Sequence, residues 1–557
     1  MKELEEGTKP HPSSILTILF CTLAFILCAL CSITPLHRVA GTPFLLHLPT
    51  SRPLEIWGVW LPSDLHLVRD AQVSHISSNY IEFLLLMALA FGAYGLCALL
   101  IWRQPAQDNF SATLRLIWLG AIATGLIFVL TPAMLSHDIF VYAGYGRILV
   151  AHHANPYFVP LKAFPQDPFM PLDDWKGATA AYGPLWLDIS ALGALLSGDD
   201  PLRYILAYRL FGLAAHLLNI WLIYTTLRVM KRSPRTVTLG VLLYAWNPLA
   251  LLESSLGGHN DVFLVTFILL GILLSVRAEQ RSFTSPRSYL LPIVAFTLAA
   301  LVKFTAAPLV AFFVVMLIRY SLPLSEANKG GRKIRGDLAP PLYDWWHALI
   351  RVFLVGLISA AIALAFYVPF WVGHSVQDIV RSFTSPPSAN AAYSSILSAI
   401  QHSLPAHTSW AYLPLHLLSL HSVWNSINVA TLLCALSIGA VCLWRTPTTH
   451  TLALTSLATL GALLVVTPWF FPWYVVWLVG LVPICLPFVY QRVSRGLLAF
   501  ALTFSASALL FYFLNLSPPP IGGWSGLRCL STIGPPLLAF FIFISFKRRP
   551  EQLQSWE

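Results

Sequence analysis

The chain has 557 residues, of which 57% are hydrophobic and only 10% charged, whereas an average soluble domain carries roughly 25% charged residues. That composition excludes a soluble globular domain and implies an all-α polytopic membrane protein. The net charge of +10 is not read as a nucleic-acid footprint, because in a membrane protein the side on which Lys and Arg fall decides their meaning. The eight cysteines fall almost entirely within apolar runs and lack paired spacing, so they read as small membrane hydrophobes rather than as a disulfide framework or zinc site.

A crossing needs about 20 apolar residues to cover about 30 Å of hydrocarbon. In chain order, such runs extend from about Ser14 to Ile33, Tyr80 to Trp102 and Thr113 to Leu135. A mixed stretch rich in Pro, Gly and aromatics follows from Ser136 to Pro201, and then come runs from about Arg203 to Leu227, Thr236 to Leu256 and Asp261 to Val276. Tyr289 to Ile318 is too long for one simple span and too short for two, with Lys303 at its middle and Pro308 close behind. It reads as a broken hairpin of two short helices with its tip at Lys303, a form tolerated where protein or a water-filled cavity covers the freed backbone. Further spans run from about His347 to Phe370, Val423 to Trp444, Thr451 to Val466, Trp473 to Tyr490, Gly496 to Leu514 and Pro535 to Phe546. The expectation is about 13–14 crossings, the higher number counting the hairpin as two.

The basic residues sort onto one set of connections: Arg228 to Arg235, Arg277 to Arg287, Arg319 to Arg335, Arg445, Arg492 with Arg495, and Lys547 to Arg549. By the positive-inside rule this side is cytoplasmic, and both termini fall there. The Ser136 to Pro201 loop, the Gly257 to Asn260 turn, the Lys303 tip, the Trp371 to His421 loop and the Phe470-Phe471-Pro472 turn then face outward together. Leu185 to Ser197 is apolar but short, and counting it as a crossing would reverse the basic connections. It therefore reads as a helix at the outer surface.

Ionisable residues at or near membrane depth are expensive, which makes each a functional candidate. Asp138 lies just past a span, at the start of a pattern that fits an amphipathic surface helix, Ile139, Val141, Tyr142, Tyr145, Ile148 and Leu149. Either it caps that helix or it is a working carboxylate. Arg147 is an interfacial anchor or a phosphate ligand, Lys303 is placed where an ordinary span has no use for a lysine and either snorkels or meets a phosphate, and Arg209, about two turns in from the outer end of its span, is a second such candidate. His259, Asn260 and Asp261 follow two glycines at an outer turn. As a metal site His259 and Asp261 supply too few ligands, and contact with sugar hydroxyls or with the Asp138 loop fits equally well. Tyr182-Gly183-Pro184 reads as a turn, and Asp173-Asp174-Trp175-Lys176 as solvated loop charge.

These motifs occur in a telling order: Ser136-His137-Asp138 through Tyr142, Gly146 and Arg147 after a span, Asn155-Pro156-Tyr157, Tyr182-Gly183-Pro184-Leu185, Asn247-Pro248-Leu249 with Gly257 to Asp261, and the Lys303 to Pro308 hairpin. Together they resemble the GT-C superfamily of membrane glycosyltransferases, most nearly the bacterial polyprenol-phosphate-mannose-dependent mannosyltransferases. Trp469 to Tyr474 is similar to an aromatic turn of such enzymes. The resemblance implies a GT-C fold in which the 136–201 loop is the first large external loop and carries surface helices. It divides the chain into added N-terminal helices (1–112), a core module (113–320) and variable C-terminal helices (321–557).

The resemblance also implies a catalytic Asp138 and a donor phosphate met by Lys303 and Arg147; Arg209 stands as a further phosphate candidate, and Tyr182, His259, Asn260 and Asp261 as candidates for substrate binding. The implied reaction moves a sugar, mannose by this likeness, from a polyprenyl phosphate to a glycan or glycolipid acceptor with inversion, on the outer face of the plasma membrane. Its partners are the lipid-linked donor, the acceptor and membrane lipids, with no nucleic acid; no cofactor and no metal are expected. A transporter or flippase of lipid-linked sugars is the alternative, although no internal repeat of the kind common in transporters is visible.

Overall fold

The computed structural model describes residues 12–40, 73–105, 110–322, 341–384, 392–403, 413–486, 492–516 and 525–545. The expected basic residues from Lys329 to Arg335 and from Lys547 to Arg549 lie outside these. Among the described residues the protein is all-helical, apart from one isolated bridge between Tyr393 and Trp469. Among the described residues, eleven helices are long and apolar enough to cross a membrane. A twelfth crossing is a bent pair, and two short apolar helices, Pro286–Val302 and Pro472–Cys485, occupy the remaining expected positions.

The first three helices, α1 (Pro12–Ala40), α2 (Val73–Arg103) and α3 (Ser111–Leu130), form one packed group. Two shorter helices follow, α4 (Asp138–Val150) and α5 (Pro184–Ser197), which pack on each other. Next come α6 (Pro201–Val229), α7 (Pro234–Ala245), α8 (Pro248–Ser255), α9 (Asp261–Gln280), α10 (Pro286–Val302) and α11 (Ala307–Ser321). Proline opens α5, α6, α7, α8 and α10, where its missing N–H costs nothing and its fixed φ suits the first turn.

The expected span from Thr236 to Leu256 is broken between α7 and α8, with a bend of 50°. Pro248 cannot continue the hydrogen-bond ladder, and Asn247 caps the second half by accepting from the Ala250 N–H at 3.1 Å. The expected hairpin is present: α10 ends at Val302, Lys303 is extended with φ −155° and ψ 127°, and a short 3-10 turn leads into α11.

The amphipathic surface helix expected from Ile139 to Leu149 is corrected. Every residue of α4 from Ile139 to Ile148 is buried, because α4 packs against both α5 and α6. Its polar positions therefore face protein rather than headgroups or water.

Hydrogen bonds also join the ends of the long helices that carry the basic residues. Gln280 donates to the Val229 carbonyl, the Thr449 N–H to Glu279, Arg319 to the Trp444 carbonyl and Arg235 to the Gln104 carbonyl. Asp138, Lys303 and the 469–474 turn meet elsewhere, around a cavity.

Candidate active site

The cavity has a volume of about 330 Å³ and is bounded by Asp138, Tyr145, Tyr157, Trp175, Tyr182, Lys303, Tyr367, Trp371, Ser382, Trp469, Phe471 and Tyr474, among others. Four of the five connections expected to share one side contribute to this lining. The fifth, Gly257 to Asn260, lies directly behind it, and the size is that of a small-molecule site with a few polar groups in an aromatic wall.

Asp138 is the first helical residue of α4. Its N–H donates to Ser136 Oγ at 3.2 Å, and the Ser136 hydroxyl also acts on the carboxylate. Carboxylate Oδ2 accepts from the Tyr142 hydroxyl at 3.4 Å and lies 3.7 Å from His259 Nδ1. Burial pushes the carboxyl up to about 6, against the lowering effects of Ser136 and Lys303. It is thus an ionised but basic carboxylate near neutrality, the range suited to a general base.

Lys303 enters from the break between the two short helices. Its Nζ lies 2.9 Å from Asp261 Oδ1 and sits over the rings of Tyr474 at 4.1 Å, Trp477 at 5.1 Å and Tyr182 at 5.5 Å. The Trp477 indole N–H donates to the same Asp261 oxygen at 2.6 Å. Cation–π contacts and one carboxylate hold the ammonium at the cavity wall while leaving it able to meet an anion. The main chain fixes its neighbour: the Gly183 N–H donates to the Val302 carbonyl at 3.1 Å. A Cβ at Gly183 would stand 2.0 Å from the Leu301 carbonyl oxygen. The Tyr-Gly-Pro turn is thus the seam that docks the 136–201 loop onto the hairpin, and it places Tyr182 beside Lys303.

His259 is fully buried, stacked on Trp473 at 3.9 Å. Burial, and then Lys303, push its imidazole well below the ordinary value, so it is neutral. Gly258 before it has φ +61°, a conformation glycine adopts without strain. Asp261 belongs to the site through Lys303. Asn260 is fully buried beneath the wall and does not line the cavity.

Two of the cations expected to meet a donor phosphate are placed elsewhere. Arg147 bonds Asp167 through Nε at 2.9 and 2.8 Å, and through Nη1 it reaches Asp199 at 2.6 Å and the Gly198 carbonyl at 3.0 Å. Its guanidinium is committed to stapling α4 to Asp167 in the following loop and to the turn between α5 and α6. Arg209 donates to the carbonyls of Leu256, Val129, Thr131 and Ala133. It satisfies the end of α3, whose last carbonyls have no partner within the helix, and so fixes the backbone that leads to Asp138. The sequence shows that both charges sit near membrane depth, but not which acceptors surround them.

Of the supposed solvated charges of 173–176, Asp173 is corrected, while Asp174 remains exposed. Asp173 is buried, accepts from the Trp175 N–H at 2.6 Å and is pushed up to about 7 by burial. Asp174 pairs with His137 at 3.0 Å, which lowers the carboxyl and raises the imidazole. His137 is thereby drawn toward the loop, and Trp175 becomes part of the cavity wall. Of the aromatic wall, Tyr145 and Tyr157 belong to motifs visible in the sequence without an assigned role there, and Tyr367 and Trp371 end a long apolar run. The only signal of the wall as a unit was aromatic density in segments assigned to one side. Among the described residues no group of three or more His, Cys, Asp or Glu side chains is arranged to hold a metal.

The fold and cavity define an integral membrane protein with a carboxylate and a cation sharing one aromatic-walled site. Residues 55–319, which include Asp138, Tyr182, His259, Asp261 and Lys303, match the family model described as alpha-(1->6)-mannopyranosyltransferase, N-terminal domain. The chain is similar to alpha-(1->6)-mannopyranosyltransferase A of Corynebacterium glutamicum, 23% identical over 177 residues, covering 31% of this chain and 35% of that protein. It is also similar to alpha-(1->6)-mannopyranosyltransferase B of the same organism, 29% identical over 162 residues, covering 28% of this chain and 25% of that protein. The chain spans about a quarter to a third of the length of these relatives. A solved structure of the Archaeoglobus fulgidus oligosaccharyltransferase in the apo form aligns with 75% of this chain and 54% of its own, at 12% identity and a TM-score of 0.33. The resemblance to membrane mannosyltransferases carried by the motifs is thus shown, in the part of the chain that holds the candidate catalytic carboxylate and cation.

Proposed function

We propose that the protein is a glycosyltransferase that moves a mannosyl group from a polyprenyl-phosphate donor to a hydroxyl of a glycan or glycolipid acceptor, at the outward end of its helical bundle. The observation that carries this reading is the meeting of Asp138 and Lys303 in one aromatic-walled cavity. The acceptor hydroxyl gives its proton to Asp138 as its oxygen attacks the anomeric carbon. The bond from that carbon to the donor phosphate oxygen breaks on the opposite face, the configuration inverts, and the polyprenyl phosphate leaves with the bonding electrons. Base assistance of this kind contributes typically about 10² to 10⁴-fold. Lys303 faces the charge that grows on the leaving phosphate, an electrostatic role often larger still. The aromatic side chains offer flat apolar faces to a sugar ring and to the first isoprene units.

The test is transfer by the purified full chain in detergent, where no membrane separates two compartments. Radiolabelled mannose moving from polyprenyl-phosphate-mannose to octyl α-mannoside is the expected result. A donor that stays intact in detergent, yet crosses the bilayer of reconstituted vesicles, would favour a lipid-linked-sugar transporter instead.

A further inference from the structure

Behind Asp138 a line of buried polar groups runs away from the cavity toward α8 and the helix Leu510–Leu516. The Tyr512 hydroxyl donates to Glu253 Oε1 at 2.7 Å. Glu253 Oε2 lies 3.3 Å from His259 Nε2. His259 Nδ1 lies 3.5 Å from the Tyr142 hydroxyl, and that hydroxyl is 3.4 Å from Asp138 Oδ2. Glu253, His259, Tyr142 and Tyr512 are all almost completely buried. Polar groups in such a place cost stability unless they are paired, and this line ties the 257–260 turn to α4, α8 and the helix Leu510–Leu516 through side chains alone.

The contacts are compatible with one direction along this line that ends on Asp138. A neutral imidazole has one N–H and one acceptor nitrogen. Tyr512, a donor, occupies Oε1 of Glu253, which leaves Oε2 to face Nε2. When Oε2 carries a proton and donates it to Nε2, the imidazole hydrogen sits on Nδ1 and points to the Tyr142 oxygen. The Tyr142 hydroxyl is then free to donate to Asp138. In that arrangement every donor in the line points toward the Asp138 carboxylate, and the two longest contacts, 3.5 and 3.4 Å, are of the kind that tightens in a substrate complex.

We propose that His259, set by Glu253 and Tyr512, is a positioning residue that works through Tyr142 to orient the Asp138 carboxylate and keep it ionised. The inference rests on the reading of Asp138 as the base. Lys303, Asp261, Asp173 and His137 also act on Asp138, as do the neighbouring tyrosine hydroxyls, and all of them stay unchanged in the variants below.

The experiment uses the detergent-solubilised full chain with polyprenyl-phosphate-mannose and octyl α-mannoside, and follows kcat, KM for the donor and the acidic limb of the pH profile. His259→Phe keeps a ring to stack on Trp473 but loses both nitrogens. It is expected to lower kcat by about tenfold or more and leave the donor KM within about twofold. Without the donor line Asp138 takes up a proton more readily, so the acidic limb moves up by about half a pH unit or more. His259→Asn, whose amide N–H replaces Nδ1–H, recovers part of both effects. Glu253→Leu mimics His259→Phe, and Glu253→Gln, whose amide replaces the carboxylic acid donor, recovers most of the loss.

Asp138→Asn is the control for the parent reading. If Asp138→Asn is inactive while His259→Phe keeps the wild-type kcat and acidic limb, the positioning role is overturned and the base assignment stands. If both His259 variants lose activity equally with no movement of the limb, His259 is merely structural and the proposal is again overturned. Near-normal transfer by Asp138→Asn would instead overturn the base assignment itself.

Discussion

Asp138 is a carboxylate whose surroundings oppose its charge, and that conflict makes two outcomes measurable. Burial raises its pKa to about 6, and a base works only when deprotonated. The transfer rate should therefore fall about tenfold per pH unit below about pH 6 and level off above pH 7, as far as this group controls it. The stability effect has the opposite sense. A carboxyl whose folded pKa exceeds its unfolded value near 3.9 binds protons more tightly when folded. Its ionisation costs stability, a cost absent below about pH 4 and fully present above about pH 6. Asp138→Asn should thus melt at the same or a higher temperature than the wild type at pH 7.5 while losing activity, the pattern of a residue kept for chemistry. A lower melting temperature would argue for a structural role. The sequence exposed Asp138 and Lys303 because each is a charge where an apolar span ends or breaks. It did not expose the service of Arg147 and Arg209, because a buried guanidinium is explained by acceptors far away in the chain, Asp167 and Asp199 for one and the carbonyls at the end of α3 for the other.

At the scale of elements, the site depends on two joints. The first is the seam at Gly183, where a side chain has no room against the Leu301 carbonyl. Gly183→Ala should part the 136–201 loop from the hairpin and move Tyr182 away from Lys303. The expected readout is a fall in donor-dependent transfer of about tenfold or more with a modest loss of thermal stability, since only this seam is disturbed. The second joint is the Arg209 clamp. Lys has a single ammonium in place of the planar five-donor fork, so neither Arg209→Lys nor Arg209→Leu can hold all four carbonyls. Each carbonyl left unpaired costs about 1–3 kcal/mol, and both variants should show a large fall in melting temperature. The broken hairpin was legible because its length matched neither one span nor two. The bend at Asn247-Pro248 and the full burial of α4 were not. An apolar-period pattern is the same whether the helix lies on a membrane or inside a protein, and only the packing of α5 and α6 around α4 decides between them.

Across the whole molecule, the bundle sorts its chemistry by end. The helix ends that carry Arg235, Gln280 and Arg319 are tied by hydrogen bonds to the carbonyls of Gln104, Val229 and Trp444 at neighbouring helix ends, while the connections poor in Lys and Arg gather around the cavity. Hydropathy reveals this order because lipid demands long apolar helices, and charge reveals it because basic loops share a side. The aromatic wall resisted such reading, since Tyr367 and Trp371 end a helix that is otherwise indistinguishable from a lipid-facing span. The central claim, that this wall encloses a base-assisted sugar transfer, is tested most directly by one comparison: labelled mannose passing from polyprenyl-phosphate-mannose to octyl α-mannoside, catalysed in detergent by the wild type and by Asp138→Asn. The expected result is transfer by the wild type and a loss of about 10² to 10⁴-fold in the variant with its fold intact; transfer by the folded variant within a few-fold of the wild type would contradict the account.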